Sequence, residues 1–178
     1  KMLMADGDEA GAARLLNDQA AVLVRMGDPV QALHLLKESR KVFQARSEGD
    51  VVALRELAET DHLFARLPLH AEMRAGRELE GYRAGLAHAQ KAERAYRQLG
   101  DARELGRLWE TMGRLELRME QLETATKHLE SAVDVQMQLG DLTGLARTTQ
   151  ALFLLAHCHD ESAPYFFLVS LRTTRSSA

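Results

Sequence analysis

Cysteine is nearly absent. Cys158 stands alone, so no disulfide can close within the chain and nothing in its thiol content points to an oxidising compartment. Proline occurs three times and aromatic residues make up 5%, which removes much of what strands and turn-dense β folds draw on. No apolar run approaches the roughly 20 residues that span a bilayer. Near the N-terminus Met2, Leu3 and Met4 lack the long apolar core of a signal peptide. Positive charge is not in excess either: the formal net charge is −3, which argues against a broad phosphate-binding face. These absences lead to the expectation of a cytoplasmic chain that binds neither nucleic acid nor membrane.

What the chain does contain is helix-forming. Ala, Leu, Arg and Glu recur throughout, and 46% of the residues are hydrophobic, enough over 178 residues for a substantial core. An all-α class follows. The chain begins at Lys1 rather than Met and ends in Thr173, Thr174, Arg175, Ser176 and Ser177, so it reads as a piece of a longer polypeptide.

The sequence repeats itself. Gln98-Leu99-Gly100-Asp101 returns 40 residues on as Gln138-Leu139-Gly140-Asp141, and the same offset lays Leu105 on Leu145, Arg107 on Arg147 and Ala92 on Ala132. Further Gly-Asp pairs stand at Gly7-Asp8, Gly27-Asp28 and Gly49-Asp50. A glycine suits the left-handed residue that closes one helix, and an aspartate accepts from the free N–H groups that open the next. Asp28 followed by Pro29 is the strongest instance, since proline favours the first helical position. Eight helices are expected, at about 9–25, 29–46, 51–66, 70–98, 102–118, 121–138, 142–157 and 161–172. Apolar residues recur inside them at helical spacing, as in Leu105, Leu108, Met112 and Leu115.

The segment Ala92 to Asp101, the helix after it, the turn at Met119 to Gln121 and Ala125 beyond together resemble the long tetratricopeptide repeat. That form, with about 40 residues per unit, occurs in kinesin light chains and in bacterial sensor and regulator proteins. The resemblance covers Asp8 to about Arg172 and implies an α-α superhelix of about four antiparallel helix pairs, with repeats near 8–49, 50–100, 101–140 and 141–172. It further implies small residues where helices approach closely. Ala20, Gly113, Ala32, Ala125 and Ala163 fit those places, while His62 and Phe153 depart from them. The second unit is longer by 11 residues, placed between Pro68 and Tyr82. A lengthened or broken helix is favoured there over a flexible insertion, although Gly76, Gly81 and Gly85 weaken continuity.

In this family the first helix of each pair lines a concave side on which partners bind, and the resemblance directs attention there. Arg14, Arg107 and Arg147 lie six residues after their Gly-Asp aspartates, and Glu56 takes that place in the second unit. Three residues further come Asn17, Glu59, Glu110 and Gln150. Such a ladder can grip an extended peptide through guanidinium and amide groups. For any one of these residues a simple solvated ion pair is the plainer reading.

Catalytic chemistry is thin. His157-Cys158-His159-Asp160 holds ligand-type atoms, but neighbouring residues cannot all converge on one metal, and a turn between helices is the simpler account. No phosphate loop and no nucleophile–base arrangement is visible, so no enzyme activity and no cofactor are expected. The apolar stretch Tyr165-Phe166-Phe167-Leu168-Val169 points to a covering helix, an adjacent domain or a homodimer contact. The functional expectation is a peptide- or protein-binding domain of a bacterial signalling or regulatory protein. The alternative is a scaffold for oligomerisation or subunit assembly.

Overall fold

The computed structural model describes residues 6–70 and 77–158. Among them the chain forms seven helices: α1 (Asp6–Met26), α2 (Pro29–Arg46), α3 (Val51–His70), α4 (Glu78–Leu99), α5 (Ala102–Arg118), α6 (Leu122–Leu139) and α7 (Leu142–Cys158). The helix expected at 161–172 lies outside the described residues, as do Ala163, Tyr165, Phe166 and Phe167. His159 and Asp160 lie outside them too, whereas His157 and Cys158 belong to α7 and not to a turn between helices.

The Gly-Asp pairs do the work expected of them at four of five places. Gly100 and Gly140 both take φ 66°, a conformation that costs a residue with a Cβ about 1 kcal/mol or more. This lets Asp101 N–H reach Tyr96 O at 3.0 Å and Asp141 N–H reach Gln136 O at 2.9 Å, closing the preceding helix on itself. Each aspartate then caps the next helix: Asp28 Oδ1 accepts from Gln31 N, Asp50 Oδ1 from Val52 N and Ala53 N, Asp101 Oδ1 from Glu104 N and Asp141 Oδ1 from Gly144 N. Gly7-Asp8 behaves differently. α1 already runs from Asp6, so this pair lies inside the helix and not before it. At Met119 to Gln121 the turn forms without glycine, with Glu120 itself at φ 58°.

Seven of the 11 extra residues of the second unit fall in two helices, and the other four fall between them, where residues 71–76 lie outside the described ones. α3 and α4 have 20 and 22 residues, against 17 and 18 in α5 and α6. The helix expected from residue 70 starts instead at Glu78, and α3 continues through Pro68 to His70. Gly85 makes the crossing of these two helices possible, because a Cβ there would lie 2.8 Å from Pro68 Cγ and 3.0 Å from Ala65 O.

Each hydrophobic cluster draws on three successive helices, so no pair buries its core alone. Ala20, Val24, Leu36, Leu63, Phe64 and Leu67 join α1, α2 and α3. Ala65, Ala89, Tyr96, Leu108, Met112 and Leu115 join α3, α4 and α5, and Leu129, Val133, Ala151 and Leu155 join α6 and α7 with Leu117 of α5 against them. Fully burying one such leucine is worth about 1.5–3 kcal/mol. His62 is accommodated at its expected small position, packed edge-on to Tyr96 with ring centroids 6.5 Å apart. Phe153 turns outward and is 42% exposed.

Contacts between helices fix the curvature. α1 touches α3, α3 touches α5 and α5 touches α7, whereas α2, α4 and α6 do not touch one another. Elements crowded on one side and separated on the other make an arc, with α1, α3, α5 and α7 as its inner row. The fold is an all-α stack of antiparallel helix pairs.

Candidate functional site

The inner row carries charge at regular places, and the register expected from the aspartates brings several of these residues together. Arg14 of α1 and Glu56 of α3 pair at 2.8 Å. Arg147 of α7 donates through Nε to both oxygens of Glu110 on α5, at 3.1 and 3.3 Å, and Arg114 Nη1 lies 3.7 Å from the same carboxylate. Arg107 pairs with Glu104 on its own helix at 3.0 Å. Arg14, Glu59, Arg107, Arg147 and Gln150 are open to solvent.

Two members of the ladder lie in the wall of the groove. Asn17 is 2% exposed, and its amide is consumed internally: Nδ2 donates to Thr60 Oγ1 at 2.9 Å, and Oδ1 accepts from Ser39 Oγ at 2.7 Å. Glu110 is 5% exposed and serves as the shared counter-ion of two arginines. Neither offers free hydrogen-bonding capacity comparable to that of Gln150 or Glu59.

Arg66 belongs to this face and was missed by reading the Gly-Asp register alone. It stands seven residues after Glu59, close to two helical turns, so stepping by sevens along the helix from the ladder would have found it. Burial lowers its pKa; Glu110 counters this, and Arg147, Arg114 and Arg25 add to it. His70, one turn on, is likewise held below its ordinary value by burial and then by Arg66 and Arg114. At the other end the Glu59 carboxyl is pushed up by desolvation and then by Glu56, Glu104 and Asp18, against Arg107.

The seams between successive pairs are crossed by buried or half-buried polar links. Asn17 meets Thr60, and Arg40 meets Asp61 at 3.0 Å, across the first. His62 Nε2 and Thr111 Oγ1 lie 2.9 Å apart across the second. Thr111 gives its own proton to Arg107 O, so the imidazole donates through Nε2. Trp109 Nε1 also crosses this seam to Glu93 at 2.9 Å, beneath the Arg97 guanidinium 5.4 Å from the indole centroid. Thr148 Oγ1 donates to Gln136 Oε1 at 2.9 Å across the third. His88 and His128 donate through Nδ1 to Asp61 and Glu116, each at 2.7 Å.

No helix among the described residues is long and apolar enough to cross a membrane. No family model matches the chain, and no curated protein matches it.

Proposed function

We propose that the chain is a tetratricopeptide-like repeat domain that holds an extended peptide or protein segment against its inner row of helices. As the resemblance suggests, it acts as the sensor or interaction region of a bacterial signalling or regulatory protein. The observation that supports this most is the lining of that row. Four helices from four successive units present charged and amide side chains on one side, and Glu59, Arg107 and Gln150 keep theirs open to solvent. An extended backbone offers carbonyl and N–H groups that such side chains can engage at intervals, and a preformed curved surface limits the ordering cost of binding.

The reading is tested by panning a phage-displayed library of random dodecapeptides against the whole chain. Peptides are expected to be enriched, and to lose binding at least tenfold to the variant Arg107→Ala with Gln150→Ala while far-UV circular dichroism is unchanged. Failure to enrich any peptide sinks the proposal, and enrichment that survives the double substitution moves the site off the inner row.

A further inference from the structure

The inner face is divided by charge, and the division is not one that folding requires. Glu59 and Arg66 sit seven residues apart on α3, which places them about 10 Å apart along the axis with an angular offset of about 20°. Neither makes an ion pair or hydrogen bond to another group among the described residues. Around Glu59 gather Glu56, Glu104 and Asp18, with Arg107 and Arg14 as the cations. Around Arg66 gather Arg25, Arg114 and Arg147, with the single carboxylate of Glu110 between them. Carboxylates outnumber guanidiniums at one end, and guanidiniums outnumber carboxylates at the other.

Like charges brought together lower stability, so an account in terms of folding must name a compensating gain. The helix macrodipole is the first candidate, and it fails for the central residues. Its influence fades beyond a terminal turn, whereas Glu59 is the ninth residue of α3, Arg66 the fifth from its end and Arg147 the sixth of α7. Existing pairs do not neutralise the field either. Glu110 is already shared by two arginines before Arg66 is considered, and Arg107 is turned to Glu104.

Resting on the peptide-binding reading above, we propose that the occupant is an extended segment carrying one basic and one acidic residue about three positions apart. The basic residue lies against Glu59 and the acidic one against Arg66. The spacing follows from the rise of an extended chain, about 3.3 Å per residue, against the 10 Å between the two groups. Arg66, Arg114 and Arg147 supply planar donors suited to a carboxylate, and the Glu59 cluster offers acceptors to an ammonium or guanidinium.

The dodecapeptide library tests this separately from peptide binding itself. On the unaltered chain, enriched peptides are expected to carry Lys or Arg two to four positions from Asp or Glu, in one N-to-C order, several-fold above the input library. The charge-swapped variant Glu59→Arg with Arg66→Glu is expected to select the opposite order. Should the swap impair folding, as judged by helicity, Glu59→Gln alone is expected to remove the preference for the basic residue and retain that for the acidic one. Enriched peptides without the paired charges, or an order that the swap leaves unchanged, overturn this inference while peptide binding stands. No enrichment at all overturns both.

Discussion

Glu59 shows how one side chain can stand open on a surface at the expense of the fold. Its carboxyl has a raised pKa in the folded chain, so between its unfolded and folded values the native state binds more protons than the unfolded state. Stability therefore falls as pH rises through that window and stays lowered above it. Glu59→Gln has no such slope and is expected to be more stable than the parent at pH 7, by about 0.5 kcal/mol or less because solvent screens an open groove. At pH 3, where both side chains are neutral, the difference disappears. Urea midpoints at the two pH values decide the matter, and a less stable variant at pH 7 counts against it. Asn17 is the opposite case. Asn17→Ala strips Ser39 Oγ of its acceptor and Thr60 of a partner inside the wall, at an expected cost of about 1–3 kcal/mol. Gly113→Ala should cost a similar amount by overpacking, about 1–3 kcal/mol, since its Cβ would stand 2.6 Å from Leu129 Cγ. Both appear as lower urea midpoints at an unchanged slope.

Helices that meet through histidines acquire a dependence on pH, and the two clearest cases run in opposite senses. His62 is held down to about 3 by burial and then by Arg66 and Arg107. The unfolded chain gains that proton near the ordinary value of 6.5 and the folded chain does not, so this contribution is lost as pH falls from 6.5 toward 3. The slope is at most about 1.4 kcal/mol per pH unit. His128 is raised by its hydrogen bond to Glu116, in spite of burial. Its contribution is complete below the unfolded value and is lost as pH rises through the folded one. His62→Gln, which can still donate to Thr111, is expected to flatten the acid limb of stability against pH, and His128→Gln the limb above 6.5, as followed by urea unfolding from pH 4 to 8.

The ends of most helices were legible because the signal is local. A left-handed glycine and an aspartate acceptor act within a few residues, and α2 and α5 begin and end where the sequence places them. What escaped is set by contacts between helices that lie far apart in the sequence. Asn17 and Glu59 share a register in the repeat, yet Asn17 is in the wall, held by Ser39 and Thr60, and Glu59 is open. The continuation of α3 through Pro68 escaped for a related reason: Gly85 against Pro68 is a contact between distant segments.

At the scale of the molecule, stability is shared between neighbours and not gathered in one centre. Among the described residues α3 and α5 are packed on both sides, α1 and α7 on fewer. In such a stack each unit is held by its own folding and by its junctions, so opening proceeds from the least supported ends. Hydrogen exchange followed by mass spectrometry is expected to show the slowest amides in α3 and α5 and faster exchange in α1 and α7. Uniform protection along the chain would count against this.

The polar links across the seams carry a further consequence. An amide meets a hydroxyl at the first and again at the third, while at the second an imidazole meets a hydroxyl and an indole meets a carboxylate. The middle junction therefore has its own key. Units that look interchangeable in outline are not, since one without His62 in the second place would leave Thr111 without that donor. The chain is less a string of copies than a sentence whose words are inflected for their position.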